Sequence, residues 1–455
     1  MVEKDDFLYK PLNEIREIQN ANLMKTIQLC AKYQEYCKRI FKQEGLNESD
    51  FKNVDDLEKL PLLHKLDYMK EPDIFRLNLP GTNLHERVIW DIAYTSGTTT
   101  GTPTPFYNTT HDFYGLLVQS RRSVEIEGVT NDDIIANVYP LTAWPTGAFL
   151  TALRSAMIMG VPLVFTLTGT PYPEFPVHNS LERAAKIVER SRATVIWGVT
   201  SFVRRLIIEA KEKGIDFTSL RMGILSGEPL PDAMRSDVKN HMRSVGIRDP
   251  IVRNRYGFTE IQGSLLECGE GFGCHNPAPD LYYFEIVDEK TGKRLREGEK
   301  GLLVLTHLNR RGTVLLRFVI GDVTSMTYET CPNCKRNGGR VILPPVRTQE
   351  LVKIKGMLIN PDLLKQEILS TPGVEEYQIV FTKSDLKDPF SMDQLVVRIA
   401  TEEENKKRIT DELVNKVHTA IAVRPIVEFL KRDEIYDPAK SMKSSRIVDL
   451  RPKGQ

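Results

Sequence analysis

Between Tyr94 and Pro103 the chain reads Tyr-Thr-Ser-Gly-Thr-Thr-Thr-Gly-Thr-Pro, hydroxyl side chains interleaved with glycine after the apolar stretch Val88 to Ala93. Glycine lets a backbone bend sharply and approach a ligand closely. Successive N–H groups and hydroxyls in such a loop can surround the oxygens of a phosphate. No Gly-Lys-Ser/Thr follows at Walker spacing, so this is a different kind of phosphate loop; a flexible Ser/Thr/Gly linker is the competing reading. A second constellation is Cys331-Pro-Asn-Cys334, which has zinc-knuckle spacing, with Cys268 and His275 available as the other two ligands and Cys274 as a rival to His275. Four such ligands leave no open position, so the metal would be structural. Apolar packing of the cysteines competes, and a disulfide is disfavoured in a reducing cytosol. Cys30 and Cys37, seven apart on a helical stretch, read as core.

The elements that must position these groups follow from periodicity. Residues 11 to 43 carry a helical pattern that Asn47-Glu48-Ser49-Asp50 interrupts. From Ile134 onward, strand-like runs (Ile134 to Tyr139, Val161 to Phe165, Ala193 to Val199, Met222 to Leu225, Ile251 to Tyr256) alternate with helix-like ones (Ala148 to Met159, Leu181 to Ser191, Phe202 to Lys213, Asp232 to Val245). Such alternation predicts an α/β fold, a parallel sheet covered by helices on both faces, with ligands beyond the carboxyl ends of the strands. Strands at Tyr282 to Val287, Gly301 to Thr306 and Leu315 to Ile320 predict a β subdomain. After Gly356 come strands near Tyr377 to Phe381, Leu395 to Ile399 and Ile426 to Phe429, with helices near Asp362 to Leu369 and Glu403 to Ala422. They predict a small α+β unit.

At 455 residues two or three domains are expected. The 41% hydrophobic and 27% charged fractions suit a globular protein, and 62 basic against 61 acidic residues give no reason to expect nucleic acid or an anionic membrane as partner. The acidic, polar start Met-Val-Glu-Lys-Asp-Asp is unlike a signal peptide, and no run of about 18 apolar residues exists. The expectation is a cytoplasmic enzyme.

Further motifs follow one another along the chain: Gly227-Glu228-Pro229, Tyr256-Gly257-Phe258-Thr259-Glu260, Gly321-Asp322, Arg347-Thr348-Gln349-Glu350 through Gly356, and Lys440-Ser-Met-Lys443-Ser-Ser-Arg446-Ile-Val-Asp449. With the Ser/Thr/Gly loop, this order resembles that of the adenylate-forming enzymes (acyl-CoA synthetases, luciferases and peptide-synthetase adenylation domains), and most of all their phenylacetate–CoA ligase branch. The resemblance covers nearly the whole chain. It implies a large amino-terminal domain, residues 1–348, holding the ATP, acyl and zinc sites, and a small mobile domain, 349–455, carrying a catalytic lysine.

The resemblance also implies the reaction: a carboxylate attacks the α-phosphorus of ATP, giving acyl-adenylate and pyrophosphate, and the thiol of coenzyme A displaces AMP. Ser96, Gly97, Thr98 and Thr99 would meet the phosphates, although Thr100 is an insertion in the usual loop and Thr104 replaces a lysine often found there. Glu260 would hold Mg²⁺, which favours one or two carboxylates beside phosphate oxygens. Tyr256 would line the adenine site, Thr259 contact the α-phosphate, and Asp322 accept the ribose hydroxyls, with Arg317 beside ribose or phosphate and Gly227, Glu228, Pro229 and Gly257 completing the nucleotide site. Lys443 would be catalytic, with Lys440 its rival, and Gln349 the hinge. Glu267-Cys268 and Gly273-Cys274-His275 resemble elements of this branch, some of whose members bind structural zinc. Tyr139, Trp144, Trp197 and Gly198, with Val199 and Phe202, fall where the family places its carboxylate pocket, and the aromatics suit an aryl or medium apolar acid. Transfer to a carrier protein or amine, nucleotidyl transfer and a non-catalytic nucleotide-binding scaffold are the alternatives. A homodimer stays open.

Overall fold

Runs rich in valine and isoleucine make the parallel part of a nine-stranded sheet, in the spatial order Leu163–Phe165, Ile135–Asn137, Val195–Val199, Met222–Ser226, Ile251–Phe258. Four antiparallel strands extend it: Gly263–Glu267, Cys274–His275, Arg340–Val341 and Met326–Thr327. The computed structural model describes residues 6–81, 83–94, 104–139, 147–168, 178–347, 352–354, 357–359, 361–386, 392–421, 423–438 and 444–451. Central strands such as Val195–Val199 and Met222–Ser226 are buried along their whole length, as expected of parallel strands covered on both faces. Two groups of helices supply that cover: Leu181–Ser191, Thr200–Lys213 and Asp232–Ser244, which pack side by side, and the pair Thr110–Glu127 and Gly147–Met159. Their apolar faces join the strands in one core that includes Val188, Val203, Leu206, Ile207, Met234 and Val238.

A second, antiparallel sheet runs in the order Tyr282–Val287, Gly301–His307, Phe318–Thr324, Val346–Arg347. A hairpin pairs Ile89–Tyr94 with Pro105–Thr109, Tyr94 opposite Pro105. The last sheet has the order Ile426–Phe429, Asp393–Ala400, Glu376–Lys383, Ile447–Asp449, with helices Pro361–Leu369 and Lys406–Ile421. Among the described residues no helix is long and apolar enough to cross a membrane. The mixed α/β architecture is the one the alternating pattern predicts.

Two departures have local causes. The amino-terminal helical pattern forms two helices, Leu12–Tyr33 and Glu35–Glu44, because Gln34 leaves the helical region (φ −113°, ψ 126°). Its buried amide donates to the carbonyls of Phe75 and Val314 at 2.8 and 2.9 Å, partners that an unbroken helix would not offer. The strand expected at Leu315–Ile320 begins only at Phe318, since Arg317 sits at φ 50° and interrupts the extended run. The first helix is fastened to much later residues: Gln19, Asn22 and Thr26 donate to the carbonyls of Pro279, Asp280 and Leu308. Just before it, the carbonyls of Leu8 and Lys10 accept from the backbone and side chain of Asn337 at 2.7 and 2.8 Å.

Candidate active site

The five parallel strands end on one edge, and the Gly227–Pro229 and Tyr256–Glu260 motifs lie there. At Ser226 the chain turns through Gly227, at φ 79°. The carboxylate of Glu228 accepts from the backbone N–H and the hydroxyl of Ser201, both at 2.8 Å, and so tethers the turn to the start of helix Thr200–Lys213. Gly227 and Pro229 are exposed.

The longest strand of the nine-stranded sheet, Ile251–Phe258, runs into a single 3-10 turn, Thr259–Ile261, closed by the Gln262 N–H on the Thr259 carbonyl at 3.0 Å. The phenol of Tyr256 donates to a carboxylate oxygen of Asp322, which arrives from the second sheet opposite Arg347. Two residues 66 apart in sequence, both expected at a nucleotide, thus meet directly. The side chain of Glu260 is buried in the adjacent turn. Tyr68, whose hydroxyl donates to the Pro105 carbonyl at 2.6 Å, lies within electrostatic reach of Glu260. Burial is the main cause of its raised phenol pKa, and the Glu260 charge adds to it.

Sequence reasoning did not single out His307, at the end of strand Gly301–His307. Its Nδ1 accepts from the Leu315 N–H at 3.1 Å, so Nε2 carries the proton and donates to the Glu260 carbonyl at 2.9 Å. Burial holds its pKa well below the usual imidazole value, with the Arg310 charge acting in the same direction. The folded protein therefore keeps His307 neutral where the unfolded chain, with a pKa of about 6.5, takes up a proton. Stability is full above that value and falls as the pH drops below it, by up to about 1.4 kcal/mol per pH unit for this group. We expect His307→Gln to be less stable at pH 7, because the Leu315 N–H loses its acceptor, and to lose less stability between pH 7 and 5 than the wild type. Urea unfolding across that range checks it; parallel slopes would show that His307 is not the titrating group.

Other expected residues sit differently. Arg317 is engaged by protein groups: its guanidinium is buried, with Nε on Glu285 at 2.8 Å and the other nitrogens on the carbonyls of Leu60 and Gly292 at 2.7 and 2.6 Å. It pins the second sheet to the loop before it. Trp197 is 1% exposed, with the Arg255 guanidinium 3.8 Å from its ring centroid and that arginine's Nε and Nη2 donating to Glu127, each at 2.5 Å. A cation held over an indole by a buried carboxylate is a core arrangement, not a pocket wall. Gly198 is likewise a packing residue: a Cβ there would lie 2.5 Å from Val138 Cγ2. Tyr139 is buried on the edge, its phenol hydrogen-bonded to Ser226 Oγ and its N–H donating to Asn137 Oδ1 at 3.1 Å. Ser96, Gly97, Thr98, Thr99, Trp144, Gln349, Lys440 and Lys443 lie outside the described residues.

The carboxy-terminal tail can be followed from Ser444. Arg446 donates to the Tyr377 carbonyl at 2.9 Å and pairs with Glu376, a neighbour of Arg204 at 3.7 Å on helix Thr200–Lys213. Burial lowers its pKa to about 9, opposed first by the charge of Glu228. The tail thus reaches the same edge as the Gly227–Pro229 turn.

The cysteine constellation is also assembled. One ligand atom from each of Cys268, His275, Cys331 and Cys334 lies within 4.8 Å of the others. Cys268 and Cys331 sulfurs are 3.7 Å apart, and Cys334 Sγ is 3.5 Å from His275 Nε2. Cys274 and His275 are consecutive on one strand and so face opposite sides. His275 joins the cluster, while Cys274 packs among Ile261, Leu265, Leu281 and Val341.

Similarity to known proteins runs the length of the chain. It is 26% identical to the phenylacetate-coenzyme A ligase of Thermus thermophilus over 453 residues, 98% of this chain and 94% of that one. To the phenylacetate-coenzyme A ligase of Escherichia coli K12 it is 24% identical, over 97% and 96%. In fold it is similar to a crystal structure of 2-hydroxyisobutyryl-CoA ligase in the postadenylation state with R3-HIB-AMP, at a TM-score of 0.80 and 20% identity, covering 98% of this chain and 91% of that one. Residues 18–309 match the AMP-binding enzyme family, and it is to this family that the chain belongs.

Proposed function

We propose that the protein is an ATP-dependent carboxylic acid–CoA ligase that forms an acyl-adenylate and passes the acyl group to coenzyme A. The observation that carries this reading is the meeting of Tyr256 with Asp322 beside the Glu260 turn, on the edge where α/β sheets bind ligands. It is supported by end-to-end similarity to phenylacetate-coenzyme A ligases of two organisms. In this reading Asp322 and Tyr256 hold the nucleoside, Thr259 and residues 96–99 the phosphates, and Lys443 the reacting carboxylate and α-phosphate. Glu260 fits Mg²⁺, being a carboxylate on a turn whose main chain is fixed by His307. The ion would supply charge neutralisation at the phosphates. An aryl or medium apolar acid is the class we favour, on the ring that Tyr139 brings to the edge while its hydroxyl is engaged by Ser226. Cytoplasmic location belongs to the same proposal.

Pyrophosphate exchange over a panel of carboxylic acids, followed by detection of the CoA thioester, tests the reading. Exchange without a thioester would move the acceptor to a carrier protein or an amine. No exchange with any acid would overturn ligase chemistry.

A structural zinc is part of the proposal. Two sulfurs each about 2.3 Å from a tetrahedral zinc stand about 3.8 Å apart, and the Cys268–Cys331 separation of 3.7 Å fits. Cys268, His275, Cys331 and Cys334 would hold the ion and join the loop after strand Gly263–Glu267 to the loop after Met326–Thr327. Elemental analysis should find about one zinc per chain. Cys331→Ser or Cys334→Ser should lose both the metal and several degrees of melting temperature. A metal-free wild type of equal stability would remove the site.

A further inference from the structure

A buried network of amides joins the hairpin to the Glu260 turn. Asn108, 0% exposed on strand Pro105–Thr109, and Gln262 bond each other reciprocally: Asn108 Nδ2 donates to Gln262 Oε1 at 3.0 Å and Gln262 Nε2 donates to Asn108 Oδ1 at 2.8 Å. The orientation of both amides is fixed by their neighbours. Arg310, which can only donate, meets Asn108 Oδ1 at 2.6 Å, and the carboxylate of Asp91, on the facing strand, accepts from Nδ2 at 3.0 Å. Asn108 therefore uses both N–H groups and both lone pairs.

Gln262 is held at φ 46°, a left-handed conformation that disfavours any residue with a Cβ, and Arg154 donates to its carbonyl at 2.9 Å. At the next position a Cβ on Gly263 would lie 1.9 Å from Gln119 Nε2, so any larger residue there would have to displace the Gln119 amide. A strained glutamine kept where glycine or asparagine would be easier indicates that its side chain is needed. The pair it makes spans two elements with different tasks. One is the hairpin whose strands flank the hydroxyl-rich segment 95–103 in sequence, and the other is the turn that presents Thr259 and Glu260.

We propose that Asn108 and Gln262 are positioning residues whose amide pair sets the separation between the phosphate-binding hairpin and the metal-binding Glu260 turn. This rests on the nucleotide reading of the site. A pair with this task matters most when one ligand engages both elements at once, that is, for ATP carrying Mg²⁺. For metal-free ATP the turn contributes less, and the separation matters less.

The test is calorimetric binding of ATP with Mg²⁺ and with EDTA to the full chain and to two variants. Gln262→Gly relieves the backbone and removes the amide. Gln262→Asn keeps an amide and tolerates the left-handed backbone, but is one methylene too short to reach Asn108. Both should stay folded and bind MgATP about tenfold or more weakly, with a clearly smaller change in EDTA. Unchanged MgATP affinity in the folded variants, or equal weakening with and without metal, would overturn the proposal and leave the ligase reading standing. A wild type that binds no MgATP would overturn both.

Discussion

Glu260→Gln is expected to give a folded protein that has lost most of its acyl-adenylate formation. The substitution keeps size and shape, and the contacts that define the turn are made by main-chain atoms: the Glu260 carbonyl on His307 at 2.9 Å and the Gln262 N–H on the Thr259 carbonyl at 3.0 Å. What changes is one negative charge at the position proposed for Mg²⁺. Mg²⁺ is held by few protein ligands and relies on carboxylate charge. Losing a preorganised charge contact of this kind slows a reaction on the order of a hundredfold. Pyrophosphate exchange measured against Mg²⁺ concentration, with circular dichroism to verify folding, checks the result. A folded variant with wild-type exchange would take Glu260 out of the reaction.

Lys443→Ala is expected to have the second large effect, and a different one. Three residues beyond it, Arg446 is half-buried, donating to the Tyr377 carbonyl in the field of Glu228, so the tail reaches the edge where the nucleotide is proposed to bind. A lysine brought to the reacting carboxylate and α-phosphate stabilises the transition state far more than bound ATP. We expect ATP affinity near that of the wild type, with adenylation slower by on the order of a hundredfold or more. Thioester formation from a supplied acyl-adenylate should be largely preserved, as it would be if the two half-reactions use different closures of the small domain. Lys440→Ala is the control and should stay active. If Lys440→Ala is inactive and Lys443→Ala active, the tail alignment is wrong by three residues and Lys440 takes the role.

Much of the architecture was legible because it is written in short-range periodicity. The strand at Met222–Ser226 and the helix at Leu181–Ser191 need only the apolar pattern of their own residues. The break at Gln34 was not legible, since its cause is two carbonyls at residues 75 and 314. The left-handed turn at Arg317 likewise depends on Glu285, Leu60 and Gly292, none of them a sequence neighbour. At the site, the resemblance to adenylate-forming enzymes implied Tyr256, Glu260 and Asp322, but not that a phenol and a carboxylate would bond across two sheets. Trp197 shows the limit of residue type. An indole suits a pocket or a core equally, and only the Arg255–Glu127 pair behind it decides for the core. His307 carried no signal beyond being a histidine at the end of an apolar strand. Strand alternation dictated that Cys274 and His275 would part, but which one met the cysteines depended on long-range packing.

The fastening of the first helix sets a timetable for synthesis. Lys10 and Asn337, joined by a hydrogen bond, are 327 positions apart. At roughly 5–20 residues per second a ribosome takes about 15–65 s to make the stretch between them. Until then the apolar stripe of Leu23, Ile27 and Cys30 lacks the later residues it packs with, such as Tyr283, Leu308 and Val314. Among the described residues, the earliest to leave the ribosome thus wait among the longest for their partners. For about 15–65 s the nascent chain carries an apolar helix face without its later partners.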